Sequence, residues 1–232
     1  MKTIGLLGGM SWESSVVYYR IINETVRQRL GGYHSARSLM LSVDFAEMED
    51  LQQRGDWTSA GLRLAEAARA LERGGADFLV LCTNTMHKLA EVIQGSVAIP
   101  LLHIADATAA EVRARGLEKV GLLGTRFTME EDFYRGRLVD RHGLTVVVPD
   151  APSRERIHRV IYDELVVGKV LGGSRAALVG AIATMMQQGA EGIILGCTEI
   201  GLLIRPGDVR VPVFDTTVVH ALAAVDYALA DE

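Results

Sequence analysis

Short apolar runs alternate with longer amphipathic stretches along the whole chain. Lys2–Gly8 is an apolar run that stops at a Gly-Gly pair, and Glu13–Arg29 follows with apolar residues at helical spacing. Ser38–Val43 and Phe78–Cys82 read as further strands. Thr58–Arg73, with Leu62, Ala65 and Leu71 at helical intervals, and Met86–Ile93 read as helices. The second half repeats the pattern: strand Val120–Leu123, helix Met129–Arg141, strand Leu144–Val148, a helical stretch Arg154–Val167, helix Arg175–Gln188 and strand Gly192–Gly196. Val211–Phe214 and a helix from about Thr217 to Ala230 close the chain. Apolar runs of five or six residues between amphipathic segments predict parallel sheets covered on both faces, an α/β fold. Ligands of such sheets gather at the carboxyl ends of the strands. Gly8, Thr83, Gly124 and Cys197 all fall there.

The halves also match residue by residue. Leu79-Val-Leu-Cys-Thr-Asn-Thr85 and Ile193-Ile-Leu-Gly-Cys-Thr-Glu199 are two copies of one motif, introduced by Gly75-Ala76-Asp77 and Gly189-Ala190-Glu191. Ile4-Gly-Leu-Leu-Gly8 recurs as Val120-Gly-Leu-Leu-Gly124, Tyr18-Tyr19-Arg20 as Phe133-Tyr134-Arg135, and Val97-Ala-Ile-Pro100 as Val209-Arg-Val-Pro212. A repeat of more than a hundred residues is too long for a solenoid and fits one duplicated domain. The join falls between Val97 and Gly116. At 232 residues the chain is long enough for two domains of this size, each with its own core.

Composition narrows the function. Hydrophobic residues make up 49% and charged residues 23%, the balance of an ordinary globule. A net charge of −5 offers no basic footprint for nucleic acid or an anionic membrane. No apolar stretch reaches the ~20 residues of a membrane span. The run before Glu13 is too short for a signal peptide, so a cytoplasmic protein is expected. The two Cys read as free thiols. The six His show no ligand spacing and no Cys pair joins them, so no metal is expected. Gly5, Gly8 and Gly9 do not complete a dinucleotide fingerprint. Arg126, Arg135 and Arg137 read as a solvated helix face, with Arg126 also within reach of an acid group. Gln52 and Arg54 lie in a polar stretch after the second strand.

Cys197 stands where a strand hands over to a helix, and backbone N–H groups there favour a thiolate. Aligning the two motif copies puts Thr83, not Cys82, opposite Cys197. Because side chains alternate along a strand, Thr83 is expected on the functional side, with Cys82 packed beneath. Asn84, Thr85 and Thr198 are short polar residues at helix starts. They would cap those helices or bind a substrate carboxylate.

The Gly8-Gly9-Met10-Ser11-Trp12 opening, Asn84-Thr85-Met86-His87, Gly124-Thr125 and Gly196-Cys197-Thr198-Glu199 together resemble the aspartate/glutamate racemase family, and the resemblance runs the length of the chain. It implies two similar doubly wound α/β domains, residues 1–102 with 213–232 and residues 103–212, with the active site in the cleft between them. The last helix would return to pack on the first domain. It further implies no pyridoxal phosphate and no metal, hence no cofactor, with one acid–base residue on each face of the α-carbon. The family usually has Cys where this chain has Thr83, while Cys197 matches. The reaction so implied is racemisation of a small acidic amino acid, aspartate or glutamate. Cys197 would remove the α-proton, favouring the L form, and Thr83 would serve the opposite face. Asn84, Thr85, Thr125 and Thr198 would hold the carboxylate, and Met10 and Gln52 would add contacts. A single-thiol decarboxylase or isomerase of small carboxylic acids, and a non-catalytic carboxylate-binding protein, are the alternatives. A homodimer stays open.

Overall fold

The structure is a computed structural model and describes residues 1–205 and 207–230. It divides into two compact units, Met1–Ile104 with the chain from His220 onward, and Ala105–Val219. Among the described residues each unit holds one four-stranded, all-parallel sheet. In the first, β1 (Ile4–Gly8), β2 (Ser38–Ser42), β3 (Phe78–Leu81) and β4 (Leu101–Leu102) lie in the order β2-β1-β3-β4. In the second, β5 (Lys119–Gly124), β6 (Thr145–Val147), β7 (Gly192–Gly196) and β8 (Val213–Asp215) lie in the order β6-β5-β7-β8. The two topologies are the same, as a duplicated domain requires.

Matching hydrogen bonds start both sheets. Asp77 Oδ2 accepts from Thr3 N at 2.5 Å, and Glu191 Oε2 accepts from Glu118 N and Lys119 N at 3.0 Å. Each acid therefore ties the start of the central strand to the segment entering its neighbour. Within the repeated Tyr18-Tyr19-Arg20 and Phe133-Tyr134-Arg135 segments, Tyr18 and Tyr134 are fully buried.

Strand alternation sorts the first core into two layers. Leu7, Leu79 and Leu81 pack with Ala60, Leu64, Ala68 and Leu71 of helix Trp57–Arg73. Ile4, Leu6, Phe78, Val80 and Cys82 pack with Tyr18, Ile22 and Val26 of helix Trp12–Leu30 and with Ala221, Ala224 and Val225 of helix Thr216–Leu229. The final helix thus returns to the first unit, where Ala228 O also accepts from Lys2 N at 2.9 Å. In the second unit Ile193 and Leu195 pack with Leu178, Ile182 and Met185 of helix Gly172–Gln187.

Several elements depart from the sequence pattern. The polar stretch after β2 is a helix, Phe45–Gln53, capped by Asp44 and burying Met48, Leu51 and Gln52. The inter-domain stretch contains helix Ile104–Ala114, whose alanines give little apolar contrast to read. The helix expected over Met129–Arg141 is two, Arg126–Glu130 and Arg135–Asp140, because Glu131 turns extended. The stretch Arg154–Val167 runs from α (Ala151–Arg159) through a π turn (Val160–Glu164) to 3-10 (Leu165–Val167). Arg137 is no solvated residue: it forms a bidentate pair with Asp106 at 2.6–2.7 Å, and His142 meets the same carboxylate at 2.8 Å. β8 pairs with β7, which puts the chain from 213 to 219 with the second unit and moves that crossing from 212/213 to 219/220. Residues 206, 231 and 232, included in the expected domain ranges, lie outside the described residues. Among those described, no helix is long and apolar enough to cross a membrane.

His220 joins the final helix to this core. Tyr18 Oη lies 2.9 Å from its Nδ1, and Leu102 O lies 2.9 Å from its Nε2. A carbonyl only accepts, so Nε2 carries the proton and Nδ1 takes the Tyr18 hydroxyl. Burial lowers the pKa of the ring from 6.5 to about 4. An unfolded chain therefore takes up a proton that the folded chain refuses until about pH 4. The stability that neutral His220 contributes is complete above 6.5 and is lost as pH falls through that window, on the order of 3 kcal/mol in all. Urea denaturation at pH 7 and pH 4.5 should accordingly show a smaller loss for His220→Gln than for the wild type. Equal losses would exclude His220 as a source of acid sensitivity.

Candidate functional site

In the first unit the candidate residues gather where β1 and β3 end. Gly9 has φ +99°, and a Cβ there would strike the Val43 backbone. Only glycine lets the loop after β1 pass so close. Gly9 N donates to Ser15 Oγ at 2.9 Å, and Ser11 caps helix Trp12–Leu30. Between them the Met10 side chain is buried in the cluster that holds Leu7, Leu81 and Met86. Gln52 is buried on helix Phe45–Gln53.

β3 ends at Leu81, and the next two residues part company. Cys82 is wholly buried on the Val80 side, its Sγ 3.7 Å from Val80 O, and burial raises its thiol pKa far above the ordinary range. Thr83 follows in a tight turn, its N donating to Leu81 O at 2.9 Å. The pairing of strands makes the register independent of the sequence alignment: Leu7 sits opposite Leu81 in one sheet, and Leu123 opposite Leu195 in the other. Two residues beyond each lie Thr83 and Cys197. Both residues thus stand two places beyond a paired leucine, and Cys82 is fully buried. Asn84 and Thr85 open a 3-10 turn, Thr85–Leu89, and the Asn84 side chain does not cap it. Thr83, Asn84 and Thr85 are all less than a tenth exposed.

In the second unit Thr125 caps helix Arg126–Glu130, accepting from Thr128 N at 3.3 Å. Arg126 N donates to His158 Nδ1 at 3.3 Å. Across from them, Cys197 Sγ donates to Glu199 Oε2 at 3.0 Å, and Thr198 Oγ1 donates to the same oxygen at 2.7 Å. The thiol pKa is well above its ordinary value, first through burial and then through the Glu199 charge and hydrogen bond. The backbone N–H groups of Glu199 and Ile200 act the other way and are outweighed. Burial and the Glu199 carboxylate thus make the Cys197 thiol harder to ionise than the helix-start N–H groups alone would.

A second acid stands close by. Asp215, at the end of β8, has its carboxyl pKa raised by burial and also by the Glu199 charge, against hydrogen bonds from Thr217 N at 2.9 Å and Val218 N at 3.4 Å. Gly201 allows the approach, since a Cβ there would lie 2.6 Å from Asp215 Oδ2. Glu199 and Asp215 carried no role in the sequence reading. The available signal for Glu199 was its place two residues after the thiol; Asp215 had none. Among the described residues no group of three or more His, Cys, Asp or Glu side chains is placed to hold a metal ion.

Similarity to known proteins follows this architecture. A candidate Asp/Glu racemase of Yersinia pestis is 54% identical, with a TM-score of 0.94 over 99% of this chain and 100% of that one. An aspartate racemase homologue of Pyrococcus horikoshii OT3 is 38% identical, with a TM-score of 0.85 over 98% and 99%. The broad specificity amino-acid racemase RacX of Bacillus subtilis (strain 168) is 26% identical over 72% of this chain and 71% of its own. The model of the Asp/Glu/Hydantoin racemase family matches residues 7–224, and the chain belongs to that family.

Proposed function

We propose that the protein racemises a small acidic amino acid without a cofactor, Cys197 acting on one face of the α-carbon and Thr83 on the other. The observation that carries this reading is the common sheet register of Thr83 and Cys197, each two residues beyond a paired leucine at a strand's carboxyl end. Aspartate and glutamate are the substrates named for its relatives, and either would suit the polar residues gathered at these strand ends.

The chemistry begins at the thiol. A substrate carboxylate binding to Thr198 would draw that hydroxyl from Glu199 Oε2 and leave Glu199 the stronger base. The S–H proton then moves along the existing 3.0 Å hydrogen bond, and the thiolate takes the α-proton of the L form. Asn84, Thr85, Thr125 and Thr198 hold the carboxylate as carbanion charge flows into it, with Met10 and Gln52 completing the loops around it. The Thr83 hydroxyl gives its proton to the opposite face and recovers one from solvent, while Glu199 releases to solvent the proton it took from the thiol. A hydroxyl is a far weaker acid than a thiol, so this second transfer is the slow one.

Three outcomes test the scheme. Cys197→Ala abolishes α-deuterium uptake from heavy water while the fold survives, whereas Cys82→Ala keeps activity and costs about 1–2 kcal/mol in urea denaturation; the reverse pattern would overturn the register. Glu199→Gln, which cannot take the thiol proton, lowers L-exchange by roughly 10²-fold, and unchanged exchange would remove Glu199 from the mechanism. In the wild type, L-aspartate or L-glutamate takes up deuterium faster than it inverts, while the D form shows no comparable excess. Thr83→Cys raises inversion toward the exchange rate. Equal L-exchange and inversion in the wild type, with no gain from Thr83→Cys, would sink Thr83 as the weak half of the pair.

A further inference from the structure

We infer that His87 is a positioning residue for Thr83: its buried imidazole clamps the Thr83 carbonyl and so fixes the direction of the hydroxyl. The inference rests on the reading of Thr83 as the proton donor. His87 Nδ1 lies 2.7 Å from Thr83 O, and Ile104 N donates to His87 Nε2 at 3.2 Å. The partners settle the tautomer. A carbonyl oxygen only accepts and a backbone N–H only donates, so Nδ1 carries the proton and Nε2 is bare. The ring is therefore neutral, and a second proton would point at the Ile104 N–H.

The local backbone explains why a side chain is needed. β3 has ended at Leu81, so no sheet ladder holds Thr83. In a regular helix, Thr83 O would receive the N–H of His87 four residues on. Here the turn is 3-10, and His87 N goes to Asn84 O at 3.1 Å. The His87 ring supplies the missing donor instead. With Thr83 N bonded to Leu81 O, both backbone polar atoms of Thr83 are then held, and its Cα–Cβ bond has a set direction. The other end of the clamp is anchored at Ile104, the first residue of helix Ile104–Ala114. The ring itself packs on His103 at 4.5 Å and meets His220 edge-on at 5.8 Å. Misplacing a reacting group by about 1 Å can cost on the order of 10²-fold in rate, so the clamp has kinetic consequences at Thr83.

The two faces of the reaction give a readout that general destabilisation would not move. L-Exchange runs through Cys197 and Glu199 without Thr83, whereas inversion also needs Thr83. In heavy water, His87→Leu should lower inversion of L-aspartate and L-glutamate by roughly 10-fold or more and leave L-exchange within about twofold. His87→Asn, whose amide N–H can replace the Nδ1–H donor, should recover most of the inversion. A fall of both rates in equal proportion, or an unchanged ratio, would overturn the inference. Nitrogen NMR of wild-type protein labelled at histidine tests the clamp without a substitution. It should show His87 as the neutral Nδ1–H tautomer, and an Nε2–H or doubly protonated ring would overturn it. A wild type that exchanges no α-proton would instead defeat the racemase reading, with the tautomer still deciding the clamp.

Discussion

Parallel pairing of the central strands is the constraint on which the site depends. Side chains along a strand alternate between faces, so a slip of one residue would exchange the two sides completely. Leu7 against Leu81 and Leu123 against Leu195 fix that register once in each sheet. The consequence differs between neighbours in sequence. Cys82 joins Phe78 and Val80 in a core layer sealed by two helices, where a thiol is inert packing. Cys197 packs with Ile193 and Leu195 in the second unit, and Thr83 follows Cys82 in the turn after β3.

Burial then decides the chemistry available to the second thiol. In this core, burial raises the thiol pKa. Glu199 stands in contact, accepting from Cys197 Sγ and from the Thr198 hydroxyl. Asp215 adds a further carboxyl whose pKa is raised by burial and by the Glu199 charge. The Glu199 charge beside the thiol raises the cost of negative charge on sulfur.

Two buried histidines tie the first unit together. Each has its tautomer set by backbone or hydroxyl partners, and each ties together segments far apart in sequence: His87 joins Thr83 to Ile104, and His220 joins Tyr18 to Leu102. Neutral imidazole suits the task because it offers one donor and one acceptor on a rigid ring.

Periodicity and repetition are one-dimensional signals, and what depends on them was legible in the chain. The alternating strands and helices, the duplicated sheet and the equivalence of Thr83 with Cys197 follow from apolar spacing and from two copies of one motif. The α/β architecture and the family follow from the same residues. Elements with little apolar contrast were hidden, such as helix Phe45–Gln53 and the alanine-rich helix Ile104–Ala114, as was the break after Glu130. Helix-start N–H groups near Cys197 can be inferred from sequence, whereas its burial and its hydrogen bond to Glu199 cannot. The closeness of Asp215 to Glu199, the orphaned Thr83 carbonyl and the ring that satisfies it were decided by tertiary structure alone. Proton affinity and hydrogen-bond partnership depend on which distant segments the fold brings within about 3 Å, and no local pattern records that distance.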